Sequence, residues 1–464
     1  MHLRFSRFIL SGVLLLILVG LLTRVSLAQT SSAPGTPLQP GSVLFENVRI
    51  FDGISEQLSP PSNVLVIDNK IEQISSNSIS IPSDREVLRI NGSGQVLMPG
   101  LIDNHVHIVM EATPMQALVS PDTTIESIFQ QAAVTANTML MSGFTSVRDM
   151  AGPVFELKAN IDRDNLIGPR IWPSGAMISQ TAGHGDFRSL EEIPRTPTSP
   201  LSRAEEYGVG AIADGVDEVL RRTREQLMQG ASQIKVSAGG GVASAYDPLD
   251  ASQYTEAEIK AAVDAAANWN TYVAVHAYTP NAVQTSIRAG VKVIEHGQLI
   301  DEETARMMAE NGTWLSMQAF LDDEDANPYP EGSPNRANQL LVAEGTDRAY
   351  ELAQQYNLKT AWGTDILYSP AKSARRGALL AKMVRWYTPA EVLRMATSTN
   401  AELLALSGPR NPYPGKLGVV EAGALADLLL VNGNPLDDIQ LITDPNQNFL
   451  VIMKDGKIYK NQTR

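Results

Sequence analysis

The chain contains no cysteine among its 464 residues. This absence excludes disulfide bonds, thiolate metal sites, a cysteine nucleophile and a lipidated N-terminal cysteine. Any transition-metal site must therefore be built from histidine and carboxylate side chains. Histidine is itself scarce, since the chain has six, so the position of each histidine is informative.

Basic residues are also outnumbered. The chain has 37 Lys and Arg against 51 Asp and Glu, for a formal net charge of −14. An acidic protein is a poor partner for nucleic acid or for an anionic membrane. With 43% hydrophobic and 19% charged residues, the composition is that of a globular protein rather than of a disordered one.

The N-terminus has the three-part pattern of a secretory signal. Arg4 and Arg7 precede an uncharged, mostly apolar run over residues 8–22, and the small-residue site Ser26-Leu27-Ala28 follows. We predict a signal peptide over 1–28 and a Ser/Pro/Gly-rich linker over 29–42. The protein is then expected to be secreted or periplasmic, without a stable membrane partner once the signal is cleaved. The alternative is an uncleaved membrane anchor, although the apolar run is short for a full span.

Short strand-like segments lie at the two opposite ends of the remaining chain. Alternating apolar residues and turn signals mark them at 43–51, 63–67, 427–431 and 449–453. Neither end is large enough to be a domain alone. We therefore predict one small β-sandwich, with its first part at 43–98 and its second part at 413–464.

Residues 99–412 alternate between strand and helix patterns. Capping boxes begin predicted helices at Thr255 and Thr388. The candidate strands are 101–107, 145–148, 170–178, 232–237, 272–276, 292–296, 314–317 and 360–363. Eight strands with intervening helices over this length predict the α/β class, as a (β/α)8 TIM barrel with a small β-sandwich built from both chain ends. An open doubly wound sheet is less favoured, because no Gly-rich dinucleotide loop follows the first strand.

Most of the histidines fall at the ends of predicted barrel strands. His105 and His107 have the i, i+2 spacing that places two side chains on one face of a strand. His276 and His296 end the fifth and sixth strands, and Asp365 follows the eighth. An isolated His-x-His pair is usually structural. Four of six histidines at strand ends, with a carboxylate at another, instead predict a cluster at the barrel mouth, where barrel enzymes have their active sites.

Lys235 lies in the fourth predicted strand, facing this cluster. A protonated ammonium beside metal cations would be repelled, and lysine is rarely buried unpaired. A neutral amine can react with carbon dioxide to give a carbamate, whose two oxygens can bridge two cations. The alternatives are a side chain that reaches the barrel mouth or pairs with Asp365.

These motifs resemble those of a known family. The string Met98-Pro99-Gly100-Leu101-Ile102-Asp103-Asn104-His105-Val106-His107 closely resembles the first-strand motif of the amidohydrolase superfamily. The order His-x-His, Lys, His, His, Asp resembles its binuclear-metal branch, and residues 47–53 and 423–428 resemble its flanking β-domain. Residues 181–186, Lys235 and 276–278 are most similar to the imidazolonepropionase-related group, which contains metal-dependent prolidases and Xaa-Arg/Lys carboxypeptidases. Imidazolonepropionase itself lacks the bridging lysine, so Lys235 argues against that activity.

The resemblance implies a ligand set for two divalent metal ions. His105, His107 and Asp365 would bind one ion, His276 and His296 the other, and carbamylated Lys235 would bridge them, which requires carbon dioxide. Zinc is the default metal for a His/carboxylate site. A hydroxide bridging the ions would attack the scissile carbonyl, and Asp365 would carry the proton to the leaving nitrogen.

Two further residues have both a structural and a functional interpretation. His184 lies between glycines in the loop after the third strand. It is either a solvated turn residue or, as the resemblance implies, a group that stabilises the tetrahedral oxyanion. Tyr278 either packs in the core or, by the resemblance, binds the α-carboxylate of the substrate.

The expected reaction is hydrolysis of the amide bond before the C-terminal residue of dipeptides or N-acyl amino acids. The partner would be a small molecule with a free carboxylate. A second copy of the chain, in a homo-oligomer, is a further candidate partner. The alternatives are a hydrolase of a lactone, a cyclic amide or an ochratoxin-type amide, or a non-catalytic metal-binding module. Loops 187–203, 245–254 and 321–336 are the candidates for specificity. The acid run 322–325 in the last of them is either a solvated loop or an attractor for a basic C-terminal residue.

Overall fold

A computed structural model describes residues 37–463, except residues 39, 82–85, 121, 197 and 245. The predicted signal peptide and most of the predicted linker lie outside these residues. Within the described part, no helix has the length and apolar character needed to cross a membrane.

The strands and helices are numbered in chain order. The strands are β1 (Ser42–Ile50), β2 (Ser62–Ile67), β3 (Lys70–Ser75), β4 (Leu88–Asn91), β5 (Val96–Pro99), β6 (Leu101–Val106), β7 (Phe144–Asp149), β8 (Arg170–Pro173), β9 (Met177–Ser179), β10 (Gly210–Ile212), β11 (Ile234–Ser237), β12 (Val273–Ala277), β13 (Val293–His296), β14 (Trp314–Met317), β15 (Thr360–Trp362), β16 (Leu428–Val431), β17 (Phe449–Lys454) and β18 (Lys457–Asn461). The α-helices are α1 (Ile108–Ala112), α2 (Met115–Val119), α3 (Ile125–Met141), α4 (Phe155–Asp162), α5 (Arg203–Glu206), α6 (Val216–Gln229), α7 (Glu256–Asn268), α8 (Pro280–Arg288), α9 (Glu302–Asn311), α10 (Pro334–Gln355), α11 (Arg376–Ala381), α12 (Pro389–Arg394), α13 (Asn400–Leu404) and α14 (Pro445–Asn448).

Strands from both ends of the chain form one β-domain. The strand order is β18-β17-β16-β5-β1-β2-β3, with β4 pairing β1. The antiparallel pair β5–β16 joins the two ends, with Leu97 opposite Leu430. Phe45 and Val66 from the first part share a buried apolar core with Leu430 and Val451 from the second. The prediction of a small sandwich assembled from both ends is confirmed.

The parallel strands β6 to β15 form the barrel, with helices between them. They are hydrogen-bonded in the orders β6-β7-β8 and β10-β9-β11-β12-β13-β14-β15. The barrel closes between its last strand, β15, and its first, β6. The side-chain amide of Asn400 joins them, because it donates to the carbonyl of Ile102 in β6 at 2.7 Å and to that of Trp362 in β15 at 2.9 Å. The Asp365 backbone N–H likewise donates to the carbonyl of His105 at 2.9 Å. The predicted (β/α)8 fold is confirmed.

The prediction of a single third strand over 170–178 is wrong. The segment is divided into β8 and β9 around Gly175, whose φ of +74° belongs to the left-handed region that glycine adopts without steric cost. Strand β8 pairs with β7, and β9 pairs with β11. The three-residue strand β10, parallel to β9, is too short to show a period in the sequence. The predicted caps at Thr255 and Thr388 are confirmed, since each hydroxyl accepts the backbone N–H of the Glu three residues later.

Candidate active site

The predicted site residues lie together at the carboxyl ends of the barrel strands. His105 lies in β6, Lys235 in β11, His276 in β12 and His296 at the end of β13, and all four are buried. His107 was predicted inside the first strand, but it follows the end of β6 and directly precedes α1. Its ring nevertheless remains in the cluster.

The rings of His105 and His107 face each other through their Nε2 atoms, 3.2 Å apart. Asp365 Oδ1 lies 3.5 Å from the first Nε2 and 3.3 Å from the second. His105 Nδ1 lies 2.8 Å from Glu295 Oε2, and His107 Nδ1 is 3.5 Å from the Ala151 carbonyl. If each Nδ1 carries the proton toward its acceptor, both Nε2 atoms present lone pairs to one another. Such an arrangement is repulsive unless a cation lies beside them, so these residues fit a metal site.

His276 and His296 are oriented in the same manner. His276 Nε2 lies 3.0 Å from the Gly240 carbonyl, and His296 Nδ1 lies 2.8 Å from Gln318 Oε1. The opposite ring nitrogen of each is left as a possible ligand, which is the usual arrangement for metal-bound histidine. Ligand atoms of His105, His296 and Asp365 lie within 4.8 Å of one another. His296 therefore also approaches the first group, and its assignment with His276 to a second ion stays a prediction.

Burial sets the protonation of these groups. It lowers the pKa of His105 and His276 well below the usual value and that of His296 to about 4, and the positive charge of Lys235 acts in the same direction. Burial alone would raise the pKa of Asp365, but the neighbouring histidines outweigh it and hold that pKa well below its usual range. Neutral imidazoles and an ionised carboxylate are the forms that bind metal.

Lys235 is 1% exposed and lines the cavity above the cluster. Among the described residues it has no hydrogen bond or ion pair within 4.0 Å, so the alternative of a pair with Asp365 is not observed. Burial lowers the pKa of Lys235 to about 8, although Glu295 and Asp365 oppose this. A neutral amine, the form that reacts with carbon dioxide, is therefore accessible near neutral pH.

Glu295 is a site residue that the sequence did not reveal. Successive residues of a strand point to opposite faces. Glu295 nevertheless contacts His105, and the ring of its neighbour His296 lies 5.0 Å from that of His105, centroid to centroid. His296 has a φ of +79°, and this turn of the backbone at the strand end brings both side chains inward. Glu295 also accepts from Arg148 Nη2 at 2.7 Å. The sequence also offers Arg148 as a group that could bind a substrate carboxylate, but Arg148 is fully buried and holds Glu295 inside the barrel.

His184 is fixed against the cluster rather than free in a turn. Its ring stacks on that of His276, with centroids 3.8 Å apart and planes inclined by 12°. Its Nδ1 lies 2.9 Å from Ser244 Oγ and 3.3 Å from Asp247 Oδ2. Gly241 allows this packing, because a Cβ there would lie 2.1 Å from Nδ1. The remaining ring nitrogen, Nε2, faces the cavity that His184 lines.

Tyr278 packs against two rings of the cluster, those of His276 and His296. Its ring stacks on His296 with centroids 5.0 Å apart, and the residue is 4% exposed. Among the described residues, its hydroxyl has no hydrogen-bond partner. A tyrosine that only filled the core would usually satisfy its hydroxyl when buried.

Two chambers meet at His184, His276 and Asp365. The large chamber has a volume of about 550 Å³ and includes His107, Lys235 and residues of loop 187–203. The small chamber has a volume of about 120 Å³ and includes Tyr278 and residues of loop 321–336. Both loops are among the predicted specificity segments.

The acid run in loop 321–336 is neutralised by neighbouring cations. Asp322 lies 2.6 Å from Arg336, Asp323 lies 2.7 Å from Lys382, and Asp325 lies 2.6 Å from Arg375. The structure therefore does not favour the idea that this run attracts a basic C-terminal residue.

The chain has a TIM barrel with histidines, a lysine and an aspartate at its strand ends, beside a β-domain from both termini. This is the architecture of a class of hydrolases. The model of the Amidohydrolase family matches residues 96–459, and the chain belongs to this family.

Individual relatives agree with this assignment. Ochratoxinase of Aspergillus niger is 33% identical over 409 residues, covering 85% of this chain and 82% of that protein. Its crystal structure has a TM-score of 0.77 at 28% identity, covering 90% of this chain and 96% of that one. A crystal structure of a prolidase complexed with N-methylphosphonate-L-proline has a TM-score of 0.81 at 31% identity, covering 91% and 100%. The predicted family, its prolidase group and the fold are confirmed, and the protein is a hydrolase of amide bonds.

Proposed function

We propose that this protein hydrolyses the amide bond before the C-terminal residue of dipeptides or N-acyl amino acids, with two divalent metal ions. The observation that carries the proposal is the pair of Nε2 atoms of His105 and His107, 3.2 Å apart beside Asp365. The prolidase similarity supports a substrate with a C-terminal residue. The similarity to ochratoxinase favours an ochratoxin-type amide as the second candidate.

The chain's donor set suits divalent metals, with zinc as the default. His105, His107 and Asp365 would hold one ion, His276 and His296 the other, and Lys235 would bridge them as its carbamate. When bound, such ions polarise the scissile carbonyl and make a water nucleophilic near neutral pH.

The remaining roles belong to the chain itself. Asp365, ionised and beside both Nε2 atoms, would accept the proton of the attacking water and deliver it to the leaving nitrogen. Ser244 and Asp247 hold Nδ1 of His184, so Nε2 faces the cavity, where an Nε2–H would donate to the tetrahedral oxyanion. The unpaired hydroxyl of Tyr278 would bind the substrate carboxylate.

Blocking the substrate's free carboxylate should abolish turnover. The Tyr278 hydroxyl would donate a charge-assisted hydrogen bond to the carboxylate, whereas a C-terminal amide offers only a neutral carbonyl oxygen, which makes a weaker bond. The test compares kcat/KM for a dipeptide or N-acyl amino acid with that for its C-terminal amide, using metal-loaded enzyme. Equal turnover of both, or turnover of lactones alone, would favour a hydrolase of another bond. No turnover of any amide or lactone would favour the non-catalytic module.

We also propose export by cleavage after Ala28. The support is the sequence pattern of residues 1–28. The protein purified from its native host should begin near Gln29, as measured by N-terminal sequencing. A membrane-bound form that begins at Met1 would establish the anchor instead.

A further inference from the structure

Asp103 in β6 is a fully buried carboxylate that the proposed reaction does not use. Its Oδ1 accepts the backbone N–H of His105 at 3.2 Å and that of Thr364 at 3.0 Å. Its Oδ2 accepts the Thr364 hydroxyl at 2.7 Å. Thr364 directly precedes Asp365 in the segment after β15. One carboxylate therefore joins two segments that carry proposed metal ligands, the first barrel strand and the segment after the last.

Arg376, the first residue of α11, is also fully buried and binds the same group. Its Nη1 donates to Asp103 Oδ2 at 2.5 Å and to the hydroxyl oxygen of Thr364 at 2.9 Å. Its Nη2 donates to Glu111 Oε2. Glu111 lies in α1, and its backbone N–H donates to the carbonyl of His107 at 2.7 Å. The planar guanidinium, which presents its donors in a fixed fork, therefore connects three separate parts of the chain.

Each of these three parts carries one of the three ligands proposed for a single ion. Asp103 lies two residues before the first ligand, Glu111 lies four residues after the second, and Thr364 directly precedes the third. The two histidines proposed for the other ion are held elsewhere, by the Gly240 carbonyl and by Gln318. Burying two carboxylates and a guanidinium costs desolvation that their attraction need not repay, so stability alone explains this network poorly.

We infer that Arg376 is a positioning residue that fixes the ligands of one ion relative to one another. Through Asp103, Thr364 and Glu111 it holds the backbones beside His105, Asp365 and His107, respectively. Ligands that are already in place need not be ordered when the ion binds, which raises its affinity. This inference rests on the proposed function, because it concerns the ligand set proposed there.

The test is the affinity of the purified full chain for zinc, measured for each ion in competition with a chelating dye. Arg376→Lys keeps the positive charge but loses the fork that binds several acceptors at once. We expect one ion to bind about 10–100-fold more weakly, the usual effect of losing a group that orients metal ligands. The other ion should keep its wild-type affinity.

Three results would contradict these expectations in different ways. Wild-type affinity for both ions in Arg376→Lys would overturn the inference while the proposed function stood. Equal weakening of both ions would also overturn it, because a general loss of structure acts on the whole site. A wild-type chain that binds no zinc would overturn the proposed function as well.

Arg170→Lys is the matched control for Arg376→Lys. Arg170 is likewise a buried arginine between two carboxylates, Asp427 at 2.9 Å and Asp455 at 2.8 Å, but it joins the barrel to the β-domain. Arg170→Lys should lower the midpoint of thermal unfolding and leave both zinc affinities unchanged. If Arg170→Lys lost as much zinc affinity as Arg376→Lys, the effect would be one of stability and the inference would be wrong.

Thr364 tests the same network with little change in volume. Thr364→Val removes the hydroxyl between Asp103 and Arg376, whereas Thr364→Ser keeps it. Thr364→Val should weaken the same ion as Arg376→Lys, and Thr364→Ser should bind zinc with nearly wild-type affinity. These two variants decide the question if Arg376→Lys does not fold, since wild-type zinc affinity in Thr364→Val would then overturn the inference.

Discussion

Replacing Asp365 by asparagine should lower kcat by about 10²–10⁴-fold or more, the contribution of general acid–base help, while most bound metal is retained. The asparagine side chain still offers an oxygen ligand but accepts no proton. In the structure, the neighbouring histidines hold the pKa of Asp365 well below its usual range, so the carboxylate is ionised near neutral pH. Metal content and kcat should be measured on the same preparation.

His276→Asn is the comparison variant for Asp365. His276 has no proton to transfer in the proposed reaction, so its loss should act mainly through lower metal occupancy. Excess zinc should therefore restore part of the activity of His276→Asn but not that of Asp365→Asn. If Asp365→Asn kept near-normal kcat with both ions bound, Asp365 would not be the proton carrier.

Lys235→Ala should lose most activity and much of the bound metal. Loss of an outer partner of a metal ligand costs roughly 10–100-fold in metal affinity or activity, and loss of a bridging ligand should cost more. Short carboxylic acids such as acetate or propionate should restore part of both, because they can replace the two carbamate oxygens in the space that the side chain leaves.

Lys260→Ala is the matched control for Lys235→Ala. Lys260 lies on α7, exposed and paired with Asp264 at 2.6 Å. Its replacement should leave activity and metal content unchanged. Normal turnover of Lys235→Ala with two tightly bound ions would refute the bridging carbamate.

The parts of the fold that were predicted from the sequence depend on local patterns. Apolar runs placed most barrel strands, and the hydroxyl–Glu spacing at Thr255 and Thr388 placed two helix starts. The division of the third strand at Gly175 was missed, although Pro173-Ser174-Gly175 between the two apolar segments is itself a turn signal. The sandwich strands β3, β4, β5 and β18 were not predicted. The barrel strand β10 was missed because its three residues are too few to show a period.

The candidate site was predicted as far as its histidines, Lys235 and Asp365 are concerned. Their positions at strand ends follow from topology, because the carboxyl ends of barrel strands meet at one mouth. The residues that orient them were not predicted. Glu295 contacts His105 across 190 residues of chain, and Gln318 contacts His296 from just past the end of the neighbouring strand β14. Such contacts depend on the register between strands and on the left-handed backbone at His296, which no local pattern shows.

The central claim is that metal ions held by this cluster make the protein an amide hydrolase. The most direct test measures metal content and turnover of N-acyl amino acids with a free carboxylate, before chelation, after chelation and after zinc is returned. We predict about two ions per chain, loss of turnover with the ions and recovery with zinc. Undiminished turnover in protein stripped of metal would contradict the claim.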